Sequence, residues 1–460
     1  MSGMGEPGME RDLGLLLPQI LVLLTAVVAL AAEMLRRPRW ALVLAVLGLL
    51  LATILGARLV GQDTTVFGGT FRIDALSVWA TLILAPATAL VALLVAPAIR
   101  GSDREGTVYS LLAFTTLGAL ALAGAGDVMF LVLGLLLSSV GAFALVAYPR
   151  DERATEAALK YFVFGSVTGA AMIFGLTFWF GATGSTLLAD LGGLTSGTLA
   201  AAGLLAVLIG LGYKAALAPF HFWAPDAYDG APVAVAAYLS IVPKIGAIFA
   251  LAQVVRDLPA GLIAWPLALA ALAAVSMTWG NLAALPQTNL VRLLAYSSVA
   301  QAGYFLLGVV AIGRSDLAIR ALIVFAAAYA AMNLGAFAVI AGAGRDLAAL
   351  RGLGRVTPWA GGALVLFLFS LVGVPPLAGF VGKALLFGAA LDAGFAWLAV
   401  VAILNSVLSL AVYLRIVVVL YQPPQGLRRP TGMVAVVGGI ALLLTIGLGL
   451  AVQVLLSRLA

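Results

Sequence analysis

The sequence predicts an all-α protein with about fourteen membrane-spanning helices, and three features support this fold class. Apolar residues make up 63% of the 460 residues and charged residues only 10%, whereas an ordinary globular protein has roughly 45–50% and about 25%. A soluble fold of this composition would lack the polar surface to cover its core. The apolar runs reach about 20 residues, which suits a membrane helix rather than the short alternating strand of a barrel.

Polar breaks divide the chain into fourteen predicted spans. The first follows Glu6, Glu10 and Asp12 and is long, so we expect a retained helix and not a cleaved signal peptide. Internal prolines leave the ends of the seventh, eighth and twelfth spans least defined, and no linker is long enough for a soluble domain. The spans are 13–32, 40–60, 74–98, 107–125, 128–148, 157–181, 198–220, 232–255, 262–285, 292–313, 317–342, 361–388, 394–421 and 432–456.

The rare residues argue against several classes of site. The chain has no cysteine, so no iron–sulfur cluster is bound by thiolate and no disulfide forms. Its single histidine, His221, makes a haem or zinc site improbable. We find no dinucleotide-binding fingerprint, and we read the net charge of +6 as arginines in short loops rather than as a nucleic-acid surface.

Arginine placement predicts the orientation of the chain. Cytoplasmic loops carry the excess of basic residues in membrane proteins, and the loops after odd-numbered spans hold the larger arginine set. We therefore expect these loops to face the cytoplasm and both termini to face outward. The larger set is Arg36, Arg37, Arg39, Arg100, Arg104, Arg150, Arg153, Arg345, Arg351, Arg355, Arg428 and Arg429, and the opposite side holds Arg11, Arg58, Arg72, Arg256, Arg314 and Arg458.

A faint internal repeat points to a transporter-like architecture. The sequences at 156–160 and 316–320 share the order acid, apolar, base, and each opens a span. Five spans separate them, so the two copies would be inverted in the membrane. Each half also contains a proline-interrupted span with a lysine, as in transporters that are built from inverted repeats with broken helices.

Lysine usage gives the clearest functional signal. Only four of the 25 basic residues are lysine, namely Lys160, Lys214, Lys244 and Lys383, and all lie in or at the edge of apolar spans. A charge at the centre of a membrane helix costs about 2.5–3.5 kcal/mol on insertion scales. A buried lysine can release its proton, whereas arginine keeps it. Lys214, Lys244 and Lys383 are therefore predicted to carry protons, the alternative being snorkelling or structural pairing.

Prolines near these three lysines support the functional interpretation. Pro243 directly precedes Lys244, Pro219 follows Lys214, and Pro375-Pro376 precedes Lys383. Irregular backbone inside a membrane survives only in a protein interior or a water-filled cavity. The pattern predicts hydrated pockets beside the lysines, although prolines are also common as simple kinks.

The remaining candidate residues have weaker signals. Lys160 follows Glu156 by four residues, where an ordinary helical ion pair is expected. His221, at a span end, is either a proton relay or a hydrogen-bonded capping residue. Asp226 and Asp229 are expected to end helices in a turn, and Arg292 to mark the membrane interface.

Several longer motifs resemble one family. The chain is similar to subunit N of the proton-pumping NADH-quinone oxidoreductase, respiratory complex I, over nearly its whole length. The run PDAYDGAP (225–232) is more particular to subunit N than to its sister antiporter-like subunits. The motifs are GYKAALAPFHFWAPDAYDGAPVAVAAYLSIVPKIG (212–246), GNLAALPQTNLVRLLAYSSVAQAGY (280–304), EAALKYF (156–162), SLVGVPPLAGFVGK (370–383) and LNSVLSLAVYLRIVVVLY (404–421).

The resemblance implies an antiporter-like channel in the membrane arm of a larger complex, in a cell inner membrane. By motif, Lys214, Lys244 and Lys383 match the family's lysines on the seventh, eighth and twelfth helices. It further implies three N-terminal helices in 1–104, a first five-helix repeat in 105–258, an inverted second repeat in 259–423 and a C-terminal helix in 424–460. Quinone, NADH, FMN and iron–sulfur clusters are expected in partner subunits, and none of these cofactors in this chain.

Two positions depart from the family pattern. A glutamate usually pairs with the seventh-helix lysine, but the matching stretch LVLGLLLSSVGAF (131–143) has Leu136 at that place. Gln301 stands where the family often has histidine, and glutamine can hold a water but cannot titrate. The first departure removes the usual lysine–glutamate pair, and the second leaves fewer titratable groups along the proton path between the half-channels.

Three hypotheses follow. The first is a proton-translocating subunit that conducts protons but does no redox chemistry itself. The second is a subunit of a multi-subunit sodium/proton antiporter. The third is a structural spacer in the membrane arm whose channel has decayed, which Leu136 and Gln301 favour.

Overall fold

Nineteen α-helices, three short 3-10 helices (Phe67–Gly69, Leu188–Gly193 and Leu347–Leu350) and one hairpin form the part of the chain that the computed structural model describes, namely residues 7–102, 104–424 and 432–458. The helices are α1 Pro7–Leu15, α2 Leu17–Met34, α3 Pro38–Ala57, α4 Ala75–Ile99, α5 Glu105–Ala123, α6 Val128–Ala147, α7 Glu152–Thr183, α8 Gly197–Ala215, α9 Trp223–Gly230, α10 Val233–Asp257, α11 Trp265–Ala284, α12 Leu290–Val310, α13 Ala318–Ala343, α14 Leu353–Val356, α15 Pro358–Val372, α16 Ala378–Asp392, α17 Ala396–Leu420, α18 Met433–Leu450 and α19 Val452–Ser457. Arg428 and Arg429 lie outside the described residues.

Short polar residues set the starts of several helices. Asp74, Asp127, Asp151 and Asn289 each accept hydrogen bonds from backbone N–H groups in the first turn of α4, α6, α7 and α12. These N–H groups have no partner inside the helix, so a side-chain oxygen at this position stabilises the helix start. The polar breaks in the sequence therefore mark true helix ends.

Among the described residues, thirteen helices are long and apolar enough to cross a membrane. They correspond to thirteen of the fourteen predicted spans and confirm an all-α, multi-pass membrane protein. The exception is the predicted span 361–388, which the structure divides into the short helices α15 and α16 on either side of residues 373–377. The predicted span 198–220 also stops early, because α8 ends at Ala215 and the short helix α9 begins at Trp223.

The interruption expected beside Lys244 is wrong. Helix α10 runs without a break from Val233 to Asp257 with Pro243 in its interior. A proline there removes one backbone hydrogen bond but does not end the helix when neighbouring helices support it. The lysines at 214 and 383 thus lie beside broken helices, whereas Lys244 lies in a continuous one.

The core sits around α10, α12 and α13. In each of these helices 94% of the apolar window is buried, compared with 28% in α3 and 22% in α18. The peripheral helices expose leucine, valine and phenylalanine side chains, as expected for surfaces that meet lipid. Lys244 is therefore carried by one of the three most enclosed helices of the chain.

One small hairpin, which the sequence did not predict, closes one end of α10. Strand β1 (Thr64–Val66) pairs antiparallel with β2 (Phe71–Ile73), and Arg72 on β2 forms an ion pair with Asp257. At the same end, Arg256 pairs with Asp74, and Gln253 Nε2 donates to Asp74 Oδ2 at 2.8 Å. These contacts fix the end of α10 to the start of α4.

Candidate functional site

Lys214 lies fully buried in the last turn of α8. The helix ends just after it because Ala216 adopts a left-handed conformation, with φ 57°. The Lys214 Nζ donates to the Ser138 carbonyl at 3.0 Å and to Ser139 Oγ at 2.9 Å, and its contact with the Tyr161 hydroxyl is 3.4 Å. The negative end of the α8 dipole also favours a positive charge here.

Leu136, which the family resemblance implies as the counterpart of Lys214, lies on α6, the helix that contacts this lysine. Its side chain is 48% exposed on the outer face of α6, and Ser138 and Ser139 make the direct contacts to Lys214 from that helix. The contacts to Lys214 thus come from the helix that the motif match implied, through Ser138 and Ser139.

Lys244 is fully buried at the centre of α10. Its Nζ donates to the Ser298 carbonyl at 2.8 Å and to Ser298 Oγ at 3.1 Å, both on α12. One turn earlier in α10, the Ser240 carbonyl accepts a hydrogen bond from the Tyr329 hydroxyl at 3.0 Å. Lys244 thus bonds directly to α12, and α13 bonds to α10 one turn away.

Lys383 lies in α16, just beyond the second break, and is 2% exposed. Its Nζ donates to the carbonyl of Val372, the last residue of α15, at 3.0 Å and to Ser406 Oγ at 3.3 Å. It also lies 3.8 Å from the centre of the Tyr304 ring, within cation–π distance. A cavity of about 290 Å³, lined in part by Ser406, adjoins this lysine.

The three buried lysines share one arrangement. Each donates to a backbone carbonyl and to a serine hydroxyl, and among the described residues none forms an ion pair with a carboxylate. A carbonyl oxygen accepts an N–H from either an ammonium or a neutral amine, whereas a carboxylate strongly favours the ammonium. These sites therefore provide partners for both protonation states.

Helix α12 connects the sites of Lys244 and Lys383. Ser298 binds Lys244, and Gln301, one turn further along α12, donates from Nε2 to the Leu371 carbonyl at 3.1 Å. Leu371 precedes Val372, whose carbonyl accepts from Lys383. The Gln301 Oε1 atom is buried and has no hydrogen-bond partner within the described part of the chain, so this amide retains an acceptor between the two lysines.

Helix α9 connects the sites of Lys214 and Lys244. Trp223 Nε1 donates to the carbonyl of Tyr213, the residue before Lys214, at 2.7 Å, and the Trp223 ring stacks on Tyr161 at 4.2 Å. At the other end of α9, the Tyr228 hydroxyl lies 3.4 Å from Ser298 Oγ. The position of α9 therefore affects the surroundings of both lysines.

A cluster of charges, which we call the α9 anchor, holds this helix at the surface. Asp226 pairs with Lys160 at 3.0 Å and with Arg292 at 2.8 Å. Asp229 pairs with Arg153, and Arg345 donates to the Asp229 and Ala231 carbonyls. The expectation that Asp226 ends a helix is wrong, because it lies in the first turn of α9, whereas Asp229 lies next to the last residue of this helix.

Within the α9 anchor, the ordinary helical pair predicted for Lys160 is present, with Glu156 at 2.7 Å. Burial opposes ionisation of Asp226, but hydrogen bonds from Arg292 and Lys160 hold the pKa of this carboxyl below its usual value. Asp226 is therefore a fixed negative charge at neutral pH rather than a proton carrier. Arg292, expected only to mark the interface, is a direct partner of this carboxylate.

His221 lies in the break between α8 and α9 and is buried. Its Nε2 atom accepts a hydrogen bond from Trp279 Nε1 at 2.8 Å. This contact places His221 on the side of α11, in hydrogen-bond contact with that helix rather than with any of the three buried lysines.

The serine and tyrosine side chains that contact the buried lysines were not predicted from the sequence. Serines inside apolar helices commonly bond between helices in membrane proteins, so the pairs Ser138-Ser139 and Ser297-Ser298 were a readable signal. Their pairing with particular lysines could not be read, because Ser139 lies on α6 and Lys214 on α8.

Several known proteins are similar to this chain over most of its length. A family model described as NADH:quinone oxidoreductase/Mrp antiporter, TM, matches residues 125–409, which include all three buried lysines. A protein of Mycobacterium sp. (strain JLS) named NADH-quinone oxidoreductase subunit N is 41% identical over 372 residues, covering 80% of this chain and 79% of its own length. A protein of Methanosarcina mazei named F(420)H(2) dehydrogenase subunit N is 36% identical over 450 residues, covering 90% of each.

A solved structure shows the same fold. A chain of respiratory complex I from Thermus thermophilus matches with a TM-score of 0.85 and 34% identity, over 96% of this chain and 99% of its own. The resemblance found from the motifs is confirmed. This chain belongs to the NADH:quinone oxidoreductase/Mrp antiporter family of membrane subunits and, within it, to the subunit N group.

Proposed function

We propose that this chain is a proton-translocating subunit in the membrane arm of a quinone-reducing respiratory complex. The observation that carries the proposal is the set of three buried lysines, each bonded to a carbonyl and a serine hydroxyl instead of a carboxylate. The names of the relatives support it, since they include subunits of complexes that oxidise NADH and F(420)H(2).

In this proposal Lys214, Lys244 and Lys383 take up and release protons in turn. Tyr161 and α9 set the surroundings of Lys214, Ser298 is shared between α9 and Lys244, and Gln301 orients the end of α15 towards Lys383. Gln301 holds water or backbone by hydrogen bonds and carries no proton itself. The charge on each lysine changes the field at the next, which couples the steps.

The redox chemistry belongs to partner subunits in this proposal. Electron donor, flavin, iron–sulfur clusters and quinone are placed in neighbouring chains, and sister antiporter-like subunits adjoin this one in the membrane. The first repeat is assigned to 105–258 and the inverted second repeat to 259–423, between the helices of 1–104 and the segment 424–460. Both termini are assigned to the outer side of an inner membrane.

The test replaces Lys244 in the intact complex. Lys244→Ala and Lys244→Arg complexes are reconstituted in liposomes, and proton uptake is measured per electron delivered to quinone. We expect at least a tenfold loss of pumping in both, because alanine carries no proton and arginine does not release one. Arg58→Gln, which removes an exposed charge at the end of α3, is the control and should pump normally.

Three results would contradict the proposal. Full pumping by the arginine variant would mean that a fixed charge is sufficient at this position. Normal stoichiometry in the alanine variant would favour the structural spacer. Loss of transport on replacing sodium with choline in the wild type would favour the sodium/proton antiporter.

A further inference from the structure

An apolar groove runs between α4, α13 and α18 on the outer surface of the bundle. It encloses about 240 Å³ and is lined by Trp79 and by aliphatic side chains such as Ala87, Ala331 and Leu444. Helix α18 is the least enclosed of the long helices, so this groove lies beside a helix with few neighbours.

A second opening, the basic pocket, lies at the end of α4 and the start of α18. It encloses about 730 Å³, and its charged lining residues are Arg39, Arg100 and Glu105. Arg39 and Arg100 are exposed and form no ion pair among the described residues, whereas Glu105 is buried and accepts from the Gly101 N–H and the Tyr109 hydroxyl. Two guanidinium groups and one carboxylate leave a net charge of +1.

The groove and the basic pocket follow one face of each helix. On α4, residues 83, 86, 87 and 90 line the groove and 97 lines the basic pocket, a spacing that keeps them on a single helical face. On α18, residues 436 and 444 do the same. Arg100 follows directly after α4 ends at Ile99. Leu90 lies about 15 Å along the helix from Arg100. The hydrocarbon layer is roughly 30 Å thick. One acyl chain spans about half of that thickness, so a chain that starts at Arg100 can reach Leu90.

We propose that the groove and the basic pocket together bind one phospholipid of net charge −1. Its phosphate would lie between Arg39 and Arg100, and one acyl chain would lie in the groove. Guanidinium groups bind phosphate through a planar fork of donors, and basic pockets between membrane helices bind anionic headgroups. The net charge of +1 favours a monoanionic lipid over a zwitterionic one. Both arginines belong to the set predicted to face the cytoplasm.

The bound lipid would hold α18 in contact with the second broken helix, which consists of α15 and α16. Gly449 near the end of α18 packs directly on the backbone of Pro376 and Leu377, in the segment between α15 and α16. Helix α18 also packs along α13, α15 and α16. A lipid that holds α18 in place therefore supports the segment next to Lys383.

The experiment uses the intact complex and a phosphatidylglycerol probe with a photoreactive group in its acyl chain. After irradiation, the labelled peptides are identified by mass spectrometry. We expect labelling of the α4 and α18 segments that line the groove, competition by unlabelled phosphatidylglycerol, and at least tenfold weaker competition by phosphatidylethanolamine. The double variant Arg39→Gln/Arg100→Gln should lower the labelling at least fivefold.

Matched variants separate the site from general effects. Arg36→Gln/Arg37→Gln removes two nearby arginines that do not line the pocket and should label like the wild type. Leu444→Trp should fill the groove and block labelling, whereas Leu443→Trp, on the exposed neighbour, should not; this pair also serves if the arginine variant fails to assemble.

Three results would overturn the proposal. They are labelling spread evenly over the membrane surface, equal competition by phosphatidylethanolamine, or crosslinks from position 444 to a helix of a neighbouring subunit in place of lipid.

Discussion

The two broken helices each carry a buried lysine, Lys214 in the last turn of α8 and Lys383 in the second turn of α16, but they hold the second half-helix by different contacts. In the first, α9 is fixed by the charges of the α9 anchor and by aromatic stacking on Trp223. In the second, α16 packs backbone to backbone on α15, where Gly379 lies against the Ser370 carbonyl. Charges at a surface can be loosened one at a time, whereas close backbone packing cannot.

The two lysines also differ in where they lie relative to the break in their helix. Lys214 belongs to the first half-helix of its pair and is enclosed, whereas Lys383 belongs to the second half-helix and reaches back to the end of α15 beside a cavity. The Lys383 hydrogen bond thus spans the break, and the Lys214 hydrogen bonds do not. We infer that the second broken helix is the more sensitive to substitutions that disturb its backbone packing. The first is the more sensitive to substitutions of the residues around its lysine.

The largest effect is expected for Gly379→Ala. A Cβ atom at this position would overlap the Ser370 carbonyl, and neither backbone can move without separating α15 from α16. We expect a loss of about 3 kcal/mol, the upper end of the range for overpacked sites, and a complex that lacks this subunit. Gly388→Ala on the same helix is the control, because its nearest neighbour, Leu317 Cδ1, lies at an ordinary 3.5 Å. Equal assembly of the two variants, seen on native gels, would argue against close packing as the basis of this break.

A large difference is also expected between Lys214→Arg and Lys383→Arg. Both should abolish pumping, because arginine keeps its proton. Lys383 lines a cavity of about 290 Å³ that can receive the larger guanidinium group, whereas Lys214 is fully buried. We therefore expect Lys383→Arg to assemble like the wild type and Lys214→Arg to assemble several-fold less.

Quantitative immunoblots of purified membranes, together with proton uptake in liposomes, measure both properties. Comparable assembly of the two arginine variants would mean that the enclosure of Lys214 does not restrict its side chain.

A moderate difference is expected between Ser139→Ala and Ser406→Ala. Each removes the hydroxyl that accepts from a lysine. A buried donor left without a partner costs about 1–3 kcal/mol, and this applies to Lys214. Water in the cavity can replace Ser406 at little cost, so Ser406→Ala should change the thermal inactivation temperature less than Ser139→Ala does. The reverse order would show that the cavity beside Lys383 is dry.

The smallest effect is expected in the α9 anchor. Asp226→Asn removes the partner of Lys160 and Arg292 and should cost on the order of 1 kcal/mol, as for partly exposed ion pairs. Pumping should fall about twofold at low salt, because α9 contacts both lysine sites. Glu156→Gln, which also removes a partner of Lys160 but lies on the exposed face of α7, is the control. An equal effect of the two substitutions would mean that α9 needs no anchor.

Sequence patterns predicted the helices well because apolar length and capping residues act locally. They also identified the three lysines, since burying lysine is costly wherever it occurs. They could not identify the residues of α6 that meet Lys214, because a motif match gives the helix and not the side chains that reach across to α8. They could not foresee that α10 continues through Pro243, because helix packing from α5, α12 and α13 decides that outcome.

The charged contacts at the two ends of α10 restrict how energy can pass through the subunit. At one end, Gln253, Arg256 and Asp257 are bonded to the start of α4 and to the hairpin. At the other, Arg345 donates to the carbonyl of Ala231, just before the helix begins. A piston-like slide of α10 would have to break both sets of contacts at once. For the proposed function we therefore expect transmission across this subunit to proceed by changes in side-chain charge and hydration while α10 stays in place.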